Sequence, residues 1–506
     1  MKRFVVAAAA AVSLAAAGAP AAHAATFEVG MEDEGLILSN QHLAPAAVEA
    51  WKNFGVDVVR IHARWWEIAP DDSSATKPSG FDAGNHLDPQ YDWAKLDAAI
   101  AMVRAQGIRV MLTLTGPGPL WSSSQPAKRN PRYKPEPKEF ADFSKAAATR
   151  YKADVDRYLI WNEPNQKGWL QPQWEKISGT YQPVSPHIYR SLVRAAQPVV
   201  KAADPGAEVV IGELAPVGNK PISVDTPMRP LAFLRSLGCV DDRYKSIKTG
   251  RCKGFKAAKG TTLGYHPHPQ KYAPDRVNPD QDAAQFGDLK RLFTTIDKLR
   301  SRKRISISKT IHLTEFGYET SPPDPSSGIS TTLQTKYLQQ ASYVAWATKR
   351  VRGLSFYQWD DERVQNLGSG TKRYSGWQTG LRFNDGRPKP VLSIMASPFV
   401  IDQKPGAKSG LLWGQVRAAA QPQVKIEVRA KGSSEFKPVT TRNANAVDGT
   451  FSYRTSLQAG ASYRYTWTPK PSLLDPNPQP RTSGIIDLSK KEKSRYKAAA
   501  ALTTTS

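Results

Sequence analysis

Arg157-Tyr158-Leu159-Ile160-Trp161-Asn162-Glu163-Pro164-Asn165 is a short apolar run that closes on an acidic residue. The run reads as a buried strand, and His187–Ala203, which follows it, repeats apolar residues at three- and four-residue spacing, as a helix does. A second apolar run, Glu208–Val217, comes next. This strand–helix–strand unit recurs from Phe27 to about Ala396. The other candidate strands are Phe27–Glu32, Val58–Trp65, Arg109–Gly116, Thr261–His268, Thr310–Tyr318 and Val351–Asp361. Further helical patterns lie at Tyr91–Gln106, Asp288–Ser301 and Thr332–Arg350. Eight such units predict an α/β fold, a closed (β/α)8 TIM barrel. An open doubly wound sheet usually carries a Gly-rich first turn, and neither GxGxxG nor GxxxxGK[ST] occurs, so no nucleotide cofactor is expected.

Beyond Gly386-Arg387-Pro388-Lys389-Pro390 the pattern changes to period two. Leu411–Arg417, Val424–Ala430, Phe436–Thr441, Thr450–Thr455 and Ala461–Thr468 alternate between turn-rich breaks, which predicts a small C-terminal antiparallel β-sandwich. At the other end, Lys2 and Arg3 precede an apolar run with small residues at Ala22-His23-Ala24, the pattern of a signal peptide. The expected organisation is a signal peptide at 1–24, the barrel at 25–396, the sandwich at 397–470 and a flexible basic tail at 471–506. No later segment approaches the about 20 apolar residues of a membrane span, so a secreted or cell-wall-associated protein is expected. The 506 residues are 40% hydrophobic and 23% charged, which argues against wholesale disorder. Two Cys exclude a disulfide scaffold and any multi-cysteine metal site.

In a barrel of this kind the reactive groups gather at the carboxyl ends of the strands. Strand four ends on Asn162-Glu163-Pro164, and strand seven ends on Thr314-Glu315-Phe316-Gly317. An acidic side chain directly after an apolar run is costly without a partner or a task. Strands four and seven face each other across an eight-stranded ring, so the two carboxylates are expected to flank one bond. On these residues the chain resembles the retaining β-glycosidases of glycoside hydrolase clan A, with details like families 5 and 39, over roughly residues 27 to 396. The resemblance implies Glu163 as general acid/base and Glu315 as nucleophile, with an oligo- or polysaccharide as substrate. It also implies that Arg60 holds the nucleophile ionised and that Asn162 bonds the sugar's 2-hydroxyl. His266 would lie near the nucleophile, and Trp359 would be the aromatic on which the sugar rests. Many relatives carry an aromatic after that His, whereas this chain has Pro267 and His268. Whether Tyr265 reaches the nucleophile from the preceding position is left open. So is Glu213, which ends strand five and is read either as a substrate ligand in the same pocket or as half of an ion pair. The two-Glu chemistry needs no metal, although His62, His266 and His268 offer a cluster. An inactive carbohydrate-binding protein and a transglycosylase are the rival readings.

Trp65, Trp66, Trp121, Trp169, Trp174, Tyr318 and Trp377 follow strands and suit a groove for several sugars. Asp360-Asp361-Glu362 is read either as a contact for substrate hydroxyls or an amine, or as merely binding Arg363 and solvent. The net charge is +25, concentrated in loops that enter strands: Arg243 to Lys259, Lys298 to Arg304, and Lys349 to Arg352. This predicts an anionic envelope surface as partner; no nucleic-acid recognition module is visible. Cys239 and Cys252 flank one of these loops and are expected to form a disulfide in an oxidising compartment.

Overall fold

The computed structural model describes residues 27–364, 376–404, 406–417, 422–469 and 477–488. The signal peptide expected at 1–24 lies outside the described residues, as does much of the tail.

Eight parallel strands close a barrel: β1 (Glu28–Glu32), β2 (Val58–Arg64), β3 (Arg109–Thr115), β4 (Arg157–Ile160), β5 (Glu208–Leu214), β6 (Thr262–Tyr265), β7 (Ile311–Phe316) and β8 (Val351–Tyr357). Each pairs with the next, and β8 returns to β1 with Glu28 opposite Gly353. Around it run α1 (Ala44–Asn53), α2 (Ala94–Ala105), α3 (Pro137–Tyr151), α4 (Ser185–Ala203), α5 (Pro230–Leu237), α6 (Leu289–Ser301) and α7 (Thr331–Ala347). The α/β barrel expected from the repeat is therefore present. The buried face of α4 carries Tyr189, Leu192, Val193, Ala196 and Val200, at the spacing the helical reading used. After β8 a 3-10 turn, Pro390–Ile394, stands where an eighth helix would.

Period two decides what enters the barrel. Glu28 and Glu32 share one face of β1, Val58, Arg60 and His62 one face of β2, and Arg157 and Leu159 one face of β4. At the amino ends, Arg157 pairs with Glu28 at 2.7 Å and with Glu208 at 2.8 Å, and Arg352 also reaches Glu208. Above this ionic floor Val58, Met111, Leu159 and Val210 form a small apolar layer. The carboxyl-end layer is charged again and builds the site.

The sandwich has six main strands: β9 (Phe399–Asp402), β10 (Ser409–Gln415), β11 (Gln423–Arg429), β12 (Lys437–Asn443), β13 (Thr450–Ser456) and β14 (Ser462–Trp467). β9, β10 and β13 form one sheet, β12, β11 and β14 the other, and Phe399, Ile401, Leu412, Val424, Ile426 and Tyr465 meet between them. β9 has no counterpart in the sequence reading. The tail expected from 471 is corrected in part: Arg481–Thr482 and Ile486–Asp487 pair with β14, because its edge still offers backbone groups to satisfy. Cys239 and Cys252 form the expected disulfide, with Cα atoms 5.6 Å apart. No helix among the described residues is long and apolar enough to cross a membrane.

Candidate active site

β4 stops at Ile160, before the Pro164 expected from the apolar run, because Trp161 and Glu163 take left-handed backbone angles, with φ of 67° and 36°. Such angles are uncommon away from glycine and cluster at functional sites. Asn162 N–H donates to Thr115 Oγ1 and Glu163 N–H to the Glu213 carbonyl, which holds this turn over the barrel mouth.

Glu163 and Glu315 meet at one imidazole. His266 Nδ1 lies 3.1 Å from Glu163 Oε1 and 3.3 Å from Glu315 Oε1, and its Nε2 lies 3.5 Å from Glu213 Oε2. Burial alone would lower the His266 pKa, but Glu315, Glu163 and Glu213 surround the ring and push it up to about 10. The ring is an imidazolium at neutral pH and donates to the carboxylates from both nitrogens.

Arg60 is the second hub. Its Nη1 donates to Glu32 Oε2 at 2.6 Å and to Glu315 Oε1 at 2.7 Å. Its Nη2 donates to Asn162 Oδ1 at 2.7 Å and lies 2.7 Å from Glu213 Oε2. Burial would raise the pKa of Glu315, yet His266, Arg60 and His268 hold it well below the ordinary carboxylate range. Glu32 moves the other way: burial, with Glu315 and Glu34 adding repulsion, outweighs Arg60 and pushes it well up. Two carboxylates on one guanidinium are thus pushed apart, Glu32 upward and Glu315 downward.

The remaining assignments fall out differently. Glu213 is fully buried under the pocket, where Arg60 and Thr314 Oγ1 bind it, so the ion-pair reading describes its position. Tyr265 does not reach the nucleophile; its hydroxyl donates to the Ala284 carbonyl behind the strand. His268 stands there instead, with Nε2 3.3 Å from Glu315 Oε2. Trp359 is also displaced from its expected role. It is buried between Trp51 and Phe54, because β8 ends at Tyr357 and the chain turns outward beyond it. Tyr357 and Trp377 are the aromatics that line the pocket on that side, Trp377 stacking on His268 with centroids 6.1 Å apart. Asp360 pairs with Arg382 and Asp361 with Lys389, while Glu362 accepts from Trp377 N–H. Among the loop aromatics, Trp65, Trp121, Trp174 and Tyr318 are buried packing, whereas Trp66, Trp169 and Trp377 line cavities.

The pocket has a volume of about 580 Å³ and is lined by Glu163, Glu315, Asn162, Tyr357, Trp169 and Trp377, among others. Glu32, Glu34 and His62 also line it; Glu32 and Glu34 were missed in the sequence, and His62 was read there only as part of a histidine cluster. Charged residues on the inward face of β1 and β2 were the available signal. The triads His266–His268–Glu315 and Glu32–His62–Glu315 have the spacing of cation ligands. The positive charges of Arg60 and the imidazolium of His266 in the same cluster oppose a metal ion there.

Residues 21–214 match the model of the family Cellulase (glycosyl hydrolase family 5). The match spans β1 to β5 and includes Arg60, Asn162 and Glu163, and it supports the resemblance drawn from Asn162-Glu163. No curated protein matches the sequence. Among solved structures, a family 39 glycoside hydrolase from Bacteroides cellulosilyticus WH2 aligns at 13% identity over 85% of this chain and 81% of that one, with a TM-score of 0.49. An endo-beta-1,4-mannanase from Thermotoga petrophila aligns at 12% over 92% and 98%, with a TM-score of 0.40. GH5_18 from Streptomyces cattleya, in complex with GlcNAc, aligns at 14% over 72% and 78%, with a TM-score of 0.43. No functional assignment rests on likenesses of this degree.

Proposed function

We propose that the chain is a secreted retaining glycoside hydrolase acting on an oligo- or polysaccharide. One observation carries this reading: Glu163 and Glu315 stand on the same imidazole nitrogen at the floor of an open pocket. Two carboxylates that reach one imidazole nitrogen suit double displacement, in which the acid/base and the nucleophile stand close together. Glu315, held ionised by Arg60, His266 and His268, attacks the anomeric carbon while Glu163 protonates the leaving oxygen. Glu163 then takes a proton from water, or from an acceptor sugar, which releases the covalent intermediate. In this reading Asn162, whose Oδ1 accepts from Arg60, bonds the 2-hydroxyl of the sugar.

A panel of aryl β-glycosides and glycans, with a fluorosugar to trap the intermediate, tests this. The trapped label is expected on Glu315. Glu163→Gln and Glu315→Gln are each expected to lose several orders of magnitude in rate while binding survives. Near-normal turnover in either variant overturns its role. Excess acceptor sugar separates hydrolysis from transglycosylation by product analysis.

Arg243, Lys245, Lys248, Lys253, Lys256 and Lys259 are all exposed on the loop entering β6, at the end of the barrel away from the pocket. This favours retention on an anionic envelope surface, released by salt. Association that ignores salt would remove the idea.

A further inference from the structure

Trp169 lines not only the catalytic pocket but also a second cavity of about 500 Å³. That cavity is walled by Trp66, Trp169, Arg132, Asp72, Gly118 and Gly168, with two prolines. All of it comes from the segments that follow β2, β3 and β4. Glu163 precedes Trp169 on the segment that follows β4, whereas Glu315 stands with His268, against whose ring Tyr357 and Trp377 pack. A group protonated by Glu163 as it departs therefore leaves toward Trp169 and the second cavity.

The chemistry of this cavity is specific. Trp66 and Trp169 are partly exposed indoles, each backed by a residue of β2: Arg64 lies over Trp66 at 5.9 Å, and His62 meets Trp169 edge-on at 5.8 Å. Apolar sugar faces pack on such rings. Arg132 is half-buried, and its Nε donates to the Gly168 carbonyl at 2.6 Å, which anchors the guanidinium. Among the described residues no carboxylate lies within ion-pair distance of it. The loop that carries it holds Lys128, Arg129, Arg132 and Lys134 against the single acid Glu136. Asp72 lies in an exposed stretch and is the only acid lining this cavity. An anchored guanidinium without a counter-ion matches a planar carboxylate better than a hydroxyl.

We propose that this cavity is the leaving-group subsite and that it holds an acidic sugar, a uronate, stacked at Trp66 and Trp169 with its carboxylate on Arg132. The proposal rests on the glycosidase reading, since that reading gives the cavity its place in the reaction. The substrate is then a uronate-bearing polysaccharide threaded through the cleft.

The test uses full-length Glu315→Gln protein, in which probes remain uncleaved, and calorimetric titration near physiological ionic strength. Two matched pairs serve as probes: mannotetraose with tetramannuronate, and cellotetraose with its tetraglucuronate counterpart. At least one acidic probe is expected to bind about tenfold or more tighter than its neutral partner. Adding Arg132→Gln is expected to bring the pair within about twofold, and Trp66→Ala to weaken the acidic probe about fivefold or more. Lys256→Gln, on the far basic loop, should leave the preference intact. Equal binding within both pairs, no binding of any probe, persistence of the preference in Arg132→Gln, or an equal loss in Lys256→Gln each overturns the proposal. Turnover of nitrophenyl glycosides by the unaltered protein reads the glycosidase assignment separately, because a nitrophenol asks nothing of this subsite.

Discussion

Arg60 and His266 carry the electrostatics of the pocket between them, and each is a single buried cation facing several carboxylates. Removing Arg60 strips the counter-charge from Glu32, Glu213 and Glu315 at once. Arg60→Met is expected to cost on the order of 3–5 kcal/mol, read from the denaturant midpoint, because uncompensated buried charge is more damaging than a lost contact. A loss below about 1 kcal/mol would show that water reaches those carboxylates. His266 supplies a pH dependence whose sign follows from its surroundings. Its pKa rises from the ordinary 6.5 of an imidazole to about 10 in the folded protein. The imidazolium therefore contributes stability that is fully present below pH 6.5 and is lost as pH rises through 10. The melting temperature of the unaltered protein is expected to fall more steeply across that window than that of His266→Gln. Parallel slopes would sink this account. The family resemblance named these two residues. The contact of His268 with Glu315 and the place of Tyr357 in the pocket were not legible, because a sequence does not show where a strand ends and which side chain the last residue turns inward.

At the scale of elements, the site depends on β6 leaving room for β5. A Cβ at Gly264 would stand 1.7 Å from Glu213 Oε1, so a side chain there collides with the carboxylate bound to Arg60. Gly264→Ala is expected to destabilise by about 1–3 kcal/mol in thermal or denaturant unfolding, and to lower activity with it. Wild-type stability would mean that Glu213 has another place to go. The loop between α5 and β6 is closed by Cys239–Cys252. It lies at the amino end of the barrel strands, away from the pocket. Cys239→Ser with Cys252→Ser is expected to lower stability by about 3 kcal/mol, the loop-entropy value for about 14 residues, with kcat unchanged at permissive temperature. A drop in kcat without unfolding would tie this loop to the site.

At the scale of the whole molecule, the sandwich is fastened to α7. Trp413 packs on Tyr343 and Trp346 with centroids 5.4 and 5.5 Å apart. The Tyr343 hydroxyl donates to Asp402, Trp346 Nε1 donates to Asp448, and Arg417 reaches the Met395 carbonyl and Ser342 Oγ. The sandwich thus covers an apolar face that the barrel cannot cover alone. A chain cut after Ala396 is expected to aggregate on expression, as judged by size-exclusion chromatography, while the full chain elutes as a defined species. A soluble, active barrel would assign the sandwich a role other than bracing.

Hydrophobic periodicity by itself determined the eightfold strand–helix repeat, the change to period-two strands near residue 397 and the placing of one glutamate at each of two strand ends. These are local properties: a run of apolar side chains records which way it faces, and a charge at its end marks where burial stops. The tertiary structure decided what met what. It moved Trp359 into the packing and brought His268 and Trp377 to the pocket. It also buried Glu213 beneath Arg60, paired part of the expected tail with β14, and set Trp169 in the lining of two cavities. Each of these depends on distances between segments far apart in the chain, and those are set by closure of the barrel rather than by any stretch of neighbouring residues.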